Sequence, residues 1–469
     1  MPRTVFLTVL ALLCALVVVF NLPITTAAAE SPARELAQAE SEKPTAVVQG
    51  NVVNVRSGPG VTYGIIGRVR SGQKLLITGK NNNASWWRVC CVDTREGWIS
   101  GSLVKAGGDL SQISVVAAPP PPAPAPRAAA APAPNTRAAG FFGYGIQVDP
   151  SADKGFLVGA IQGMQFNWMK FQLPWKDLEG QPGQVDWGGT DSLVDAMHNN
   201  GINVLASIVK APNWARAGNS DLSVEGPPAD PGTYANFMRG FAARYCGRVQ
   251  AVEVWNEQNL HYEWGNEPID PARYVRLLAA AYGAIKSACP SMIVVSGALT
   301  PTGAKPPLGM DDIQYLQAMY RAGLRRYSDA VGAHPSGYNC PADADWRTVT
   351  DGSAVFRGPY DNRHHSWCFR GTMEGYRNVM VANGDSGKRI WPTEFGWAVS
   401  GNPFPGYEYA LDNTAGEQAE WAVRAYQLGR SWGWVGPMFL WNLNFENGEQ
   451  SAFRIWGTPT YQALSGMGK

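Results

Sequence analysis

Residues 117–139 read AAPPPPAPAPRAAAAPAPNTRAA, and this stretch constrains the fold more than any other part of the chain. It is nearly all alanine and proline, it contains no acid, and it has no large apolar side chain with which to build a core. Proline-rich runs favour an extended polyproline-like backbone without internal hydrogen bonds, which makes a semi-rigid spacer. A chain of 469 residues divided in this way must fold as separate modules: a small one before the spacer and a large one, residues 140–469, after it. Charged residues are 16% of the chain and hydrophobic ones 45%, which excludes a disordered or highly charged scaffold. The net charge of +1 leaves no electrostatic footprint for nucleic acid. The 18 tryptophans are the anomaly, because an indole offers a flat apolar face and one N–H donor, a good match to sugar rings in a cleft.

At the N-terminus, Arg3 precedes an apolar run over residues 5–20, then Pro23 and Ala27-Ala28-Ala29 before Glu30. This pattern predicts a signal peptide over residues 1–29, with an uncleaved membrane anchor as the rival because the run approaches the ~17 residues that span a bilayer. Either reading puts the bulk of the chain outside the cytoplasm, secreted or held at the cell surface. Residues 30–44 are polar and read as a tether.

Residues 45–106 alternate short apolar runs with turn signals: Val52, Val53 and Val55 before Ser57-Gly58-Pro59-Gly60, then Ile65-Ile66, Leu75-Leu76-Ile77, Trp86-Trp87 and Gly97-Trp98-Ile99. Five or so short strands in about sixty residues predict a small all-β barrel. The string VNVRSGPGVTYGIIGRVRSGQ with WWRV and GWIS resembles the bacterial SH3-like domain. That resemblance implies attachment to a cell wall or another surface polymer.

In residues 140–469, short apolar runs alternate with helical periodicity. Strands are predicted over 141–148, 168–173, 203–209, 249–254, 292–296, 330–333, 389–391 and 438–441. The clearest helix starts at Asp230-Pro231 and repeats Tyr234, Phe237, Met238, Phe241 and Tyr245 before Gly247, and another starts at Asp270-Pro271. Eight β-then-α units predict a parallel (β/α)8 (TIM) barrel. The expected whole is therefore a multidomain chain: an SH3-like barrel joined by the Pro/Ala linker to an α/β barrel.

Such barrels build their sites where strands end and βα loops begin. The fourth predicted strand, VEVWNEQN, ends at Asn256-Glu257, and the seventh, RIWPTEFGW, ends at Glu394. Two carboxylates on opposed strands can face each other across a cleft, as glycosidic bond hydrolysis requires. Period-two alternation puts Glu253, Trp255 and Glu257 on one face, with Glu253 below as the partner of a basic group. The tryptophans Trp175, Trp214, Trp255, Trp264, Trp367, Trp397 and Trp441 fall at or just past strand ends, a placement that predicts a cleft lined with stacking faces.

VEVWNEQN and WPTEFGW resemble the acid/base and nucleophile strands of glycoside hydrolase clan A, nearest to its family 39-like members. The resemblance implies Glu257 as general acid/base, Glu394 as nucleophile and Asn256 as donor to the sugar 2-hydroxyl. Lys170 in WMKFQLPW stands where many members carry arginine, and Gln258 stands where proline is commoner. His334 and Tyr338 in GAHPSGYN resemble the sixth-strand residues that steady the site, and Trp441 in FLWNLN the platform under the sugar. Trp175 and Trp397 join the expected substrate-binding set. Retention requires Glu394 ionised, favoured by Lys170 and Tyr338, and Glu257 protonated, favoured by burial beside Trp255 and nearby negative charge.

Cys246 and Cys289 each close a helix just before adjacent strands, and Cys340 and Cys368 flank the long insertion after strand six, so two disulfides are predicted. Cys90 and Cys91 should point to opposite faces of a strand. No C-x-x-C or H-x-H spacing occurs, His364-His365 reads as a polar loop pair, and no Gly-rich phosphate loop is present, so no cofactor or metal is expected. The expected partners are a carbohydrate polymer as substrate and a cell-wall polymer for the SH3-like module. The alternative is a non-catalytic carbohydrate- or wall-binding surface protein.

Overall fold

The computed structural model describes residues 43–60, 63–92, 94–120 and 142–469. The predicted signal or anchor, and residues 121–139 of the predicted linker, lie outside the described residues. The chain divides between Arg127 and Ala128 into two compact units. Among the described residues no helix is long and apolar enough to cross a membrane.

The first unit is a seven-stranded antiparallel sheet. Its strands lie in the order Ile65–Arg70, Val52–Arg56, Arg95–Ser100, Trp86–Val92, Lys74–Lys80, Thr45–Val48, Val104–Gly107. Alternate residues Val53, Val55, Val69, Leu75, Ile77, Val89 and Ile99 point inward and form its core. Thr45–Val48 and Val104–Gly107 pair with each other, Thr45 opposite Gly107. At four residues each they are too short to carry a readable alternation, which is why the expected strand number was low. Trp98 is buried in this unit, whereas Trp86 and Trp87 stay half-exposed. The sulfurs of Cys90 and Cys91 lie side by side, against the expectation of opposite faces. The ladder with Arg95–Ser100 shifts register between Val89 and Val92, and this break cancels the alternation that would have separated them.

The second unit contains eight parallel strands: Gly143–Gln147, Trp168–Pro174, Asn203–Val209, Ala251–Val254, Ile293–Ser296, Ala330–Ala333, Ile390–Pro392 and Pro437–Leu440. The eighth pairs with the first, and single bridges from Ile390 to Val435 and from Phe395 to Leu440 bring the seventh against the eighth, so the sheet nearly closes. One main helix follows each strand: Lys154–Gly163, Gly188–Asn199, Pro231–Tyr245, Pro271–Ala288, Asp312–Arg321, Phe369–Ala382, Ala415–Ser431 and Pro459–Gly466. Asp230 and Asp270 cap their helices ahead of a first-turn proline, accepting from the N–H groups of Gly232 and Ala272. Trp168, Leu205, Ala251, Ile293, Val295, Ala330, Trp391 and Phe439 form a buried apolar cluster inside the barrel. Cys246 and Cys289 end the third and fourth helices with Cα atoms 5.5 Å apart, and they are disulfide-bonded. Cys340 and Cys368, 5.6 Å apart at Cα, close the insertion after the sixth strand.

Candidate active site

The fourth strand stops at Val254, and the next residues leave extended geometry. Trp255 and Glu257 have φ of 74° and 48°, left-handed values that non-glycine residues adopt at a cost of order 1–3 kcal/mol each. The turn breaks the predicted alternation. Trp255 packs away from the barrel axis, edge-on to Tyr234 and Trp264, and its indole N–H donates to Glu263 O at 3.2 Å. Glu257 is thereby lifted into the mouth of the barrel while Glu253, still on the strand, stays fully buried below.

Glu253 anchors the floor of the site. It accepts hydrogen bonds from Thr393 Oγ1 at 2.7 Å and Ala298 N at 3.1 Å, and a further one from Ser207 Oγ. Gly332 is required beside it, because a Cβ there would stand 2.3 Å from Ser296 O and 3.1 Å from Glu253 Oε1. Lys170, wholly buried on the second strand, lies 3.6 Å from Glu253 and donates to Glu394 Oε1 at 2.6 Å. Gln172 Nε2 approaches the same Glu394 oxygen at 3.4 Å. Lys170 therefore reaches the site only through the two carboxylates, as a positioning cation beneath Glu394, and does not face a substrate.

His334, at the end of the sixth strand, joins the two glutamates. Its Nδ1 is 2.9 Å from Glu257 Oε1 and 3.8 Å from Glu394 Oε2. One oxygen from each glutamate and one His334 nitrogen all lie within 4.8 Å of one another. Burial alone would raise the Glu257 carboxyl, but the hydrogen bond and charge of His334 outweigh it and hold Glu257 below its ordinary value. Burial likewise works against a charged His334, and the charge of Glu394 with the Glu257 hydrogen bond lifts it above its ordinary value. Protonation of Glu257 by burial beside Trp255 was the expectation. Both shifts favour the carboxylate form of Glu257 and a proton on the imidazole that bridges the pair.

Asn256 is nearly buried beside Glu257, and its Oδ1 has no protein partner. Trp441, half-exposed past the eighth strand, stacks on Phe445 with ring centres 5.1 Å apart. Tyr338, also left-handed at φ 48°, directs its hydroxyl to Pro301 O at 3.4 Å rather than to Glu394. Trp175 and Trp397 do not reach the cleft. Trp175 is fully buried with its N–H on Glu179 Oε2 at 2.6 Å, and Trp397 is buried against Phe369 and Trp421 with its N–H on Cys340 O at 2.8 Å. A strand-end position places a residue near the mouth but does not decide whether its side chain turns inward or back under a loop. Trp255 and Trp264 are buried in the same way, while Trp214 and Trp367 remain partly exposed.

The site also holds a residue that its motifs do not reveal. Glu263 lies on the loop after Glu257, in the wall of a cleft of about 950 Å³ shared with Trp214, Tyr262, Lys176 and Glu225. Burial, then the nearby charge of Glu257, pushes its carboxyl up to about 8. Only its distance from Glu257 along the chain could have pointed to it.

A cleft at the C-terminal mouth of a (β/α)8 barrel, floored by a Glu–Lys–Glu line and bridged by one histidine, lies where such barrels build their sites. Comparison with known proteins agrees with both modules. Residues 51–105 match the family model for the bacterial SH3 domain. A family 39 glycoside hydrolase from the gut symbiont Bacteroides cellulosilyticus WH2 shares the fold, with a TM-score of 0.52 and 18% identity over 91% of this chain and 77% of that one. A glucosidase from Croceicoccus marinus aligns at a TM-score of 0.49 and 13% identity over 69% of this chain and 66% of its own. No curated protein matches the chain. The chain thus carries a bacterial SH3 domain and a (β/α)8 barrel of the kind found in a family 39 glycoside hydrolase.

Proposed function

We propose that the barrel is a retaining glycoside hydrolase acting on a polysaccharide or oligosaccharide. The observation that carries this reading is the approach of Glu257 and Glu394 from the fourth and seventh strands, where one oxygen of each lies within 4.8 Å of the other. Inverting enzymes keep their carboxyl groups ~6.5–9.5 Å apart to admit a water, whereas ~5–5.5 Å leaves room only for the sugar. In this reading Glu394, fixed and charge-compensated by Lys170, attacks the anomeric carbon. The leaving oxygen takes the proton shared by His334 and Glu257, and Glu257 then activates the water that releases the sugar. Asn256 and Trp441 hold the sugar, the one by donating a hydrogen bond to the 2-hydroxyl and the other by stacking.

The bacterial SH3 domain supports a second part of the proposal, attachment of the enzyme to a cell wall or similar surface polymer outside the cytoplasm. The test is a screen of the purified chain against aryl glycosides, β-glucans, xylans and wall polymers, with Glu394→Gln as the blank. Release of reducing sugar by the wild type alone supports the reading. Saturable binding of a glycan with no turnover on any substrate would favour the non-catalytic alternative. Deleting residues 30–135 should leave turnover of soluble substrate unchanged while reducing sedimentation with insoluble wall.

A further inference from the structure

The insertion after the sixth strand folds against the start of the fifth helix, Asp312–Arg321, and sets two adjacent histidines against two adjacent aspartates. His364 Nε2 lies 3.2 Å from Asp311 Oδ2, and His365 Nε2 lies 2.9 Å from Asp312 Oδ1. The two imidazoles are 4.2 Å apart, centre to centre. One nitrogen from each histidine and one oxygen of Asp311 fall within 4.8 Å of one another. Sequence spacing makes His364-His365 a polar loop pair. The fold adds the third donor that spacing could not supply.

Each imidazole is also oriented through one ring nitrogen by a neighbouring residue, as metal-bound histidines are. Behind His364, Nδ1 is held by buried Ser366, whose hydroxyl lies 2.7 Å away and whose N–H points at the same atom at 3.4 Å, while Nε2 faces Asp311. Behind His365, Asp312 is fully buried and itself held by the Thr302 N–H at 3.3 Å. By accepting from Nε2 it leaves the Nδ1 lone pair of His365 available. Asp311 and His364 border a cavity of about 580 Å³, through which water can reach a fourth position.

We propose that Asp311, His364 and His365 bind a divalent cation of the Zn2+ class, which fastens the insertion to the fifth helix. Two imidazoles, one carboxylate and one open position suit Zn2+, whereas Ca2+ and Mg2+ require more oxygen ligands than the cluster offers. The Cys340–Cys368 disulfide ties the ends of the insertion to each other, and the ion ties it to the neighbouring helix.

The test is a titration of the metal-stripped full chain with Co2+, followed by its visible d–d absorption, with Zn2+ as competitor and thermal melting as a second readout. One equivalent of Co2+ should give a saturable tetrahedral spectrum that Zn2+ displaces, and Zn2+ should raise the melting temperature. His364→Ala/His365→Ala should lose both responses. Asp312→Asn, which weakens the support behind His365, should weaken binding by roughly 10–100-fold. Absence of a saturable spectrum, or its persistence in the double variant, overturns the proposal. So does its loss in Glu394→Gln with retention in the double variant, which would place the ion among Glu257, His334 and Glu394. If the double variant does not fold, Asp311→Asn and Asp312→Asn carry the test, and wild-type affinity in both overturns the proposal.

Discussion

The fourth and seventh barrel strands end in the same functional group held in different surroundings. Glu394 sits just past Pro392, and its carboxylate rests on Lys170, a cation with no access to solvent that is shared with Glu253 below. Glu257 is raised on two left-handed residues and bound from the side by His334, whose imidazole can take up or release a proton. A fixed charge suits a nucleophile that must stay ionised. An exchangeable proton suits a group that must give one up and take one back. The difference lies in the partners, lysine against histidine, and not in the carboxyls.

Substitutions that exchange or delete those partners should separate the two halves of the site. The largest effect belongs to Glu394→Gln, which removes the attacking oxygen; turnover on every substrate should fall by on the order of 10⁴-fold or more, measured as kcat/KM. Glu257→Ala should cost ~10²–10⁴-fold on poor leaving groups and far less for the first step of activated aryl glycosides. Azide, which needs no general base, should restore the second step in that variant and not in Glu394→Gln.

Lys170→Met comes next and tests whether the lysine fixes the nucleophile electrostatically. It leaves Glu253 and Glu394 facing each other without a cation, and breaking a buried pair costs ~3–5 kcal/mol, readable by denaturant unfolding. Adding Glu253→Gln should recover much of the stability but not the activity. Recovery of both would mean that Lys170 serves packing alone.

The smallest effect is in pH dependence. His334, raised in the folded state, contributes stability that is complete below the ordinary imidazole value of ~6.5 and is lost as pH rises through its raised value. Glu257, lowered in the folded state, contributes stability present above ~4.3 and lost as pH falls through its lowered value. The melting-temperature advantage of wild type over His334→Gln should therefore be greatest between pH ~4.5 and ~6.5 and shrink on both sides. A flat difference would remove the ion pair from the account.

Much of the frame was legible because barrel strands are continuous apolar runs bounded by turn residues. The expected strands at 203–209 and 330–333 coincide with Asn203–Val209 and Ala330–Ala333. Asp-Pro steps marked the third and fourth helices correctly, since an aspartate cap and first-turn proline act locally. What failed depends on contacts distant in the chain. Period two cannot foresee that Trp255 turns left-handed, so Trp255 was assigned to the wrong side of Glu257. Nor can a strand-end position tell Trp441, which is half-exposed, from Trp175 and Trp397, which are buried under loops. The influence of His334 on Glu257 was not legible for the same reason, because the two meet only in the folded barrel.

Double displacement through two differently held glutamates is most directly tested by the anomeric configuration of the first sugar released. Proton NMR of the reaction, recorded before mutarotation on whichever substrate the screen finds best, reads it without labels. The account predicts that the configuration of the cleaved bond is retained, because it takes the close approach of Glu257 and Glu394 to exclude a water between sugar and nucleophile. An inverted product would contradict it, since it requires a single displacement by water and therefore a different role for Glu394.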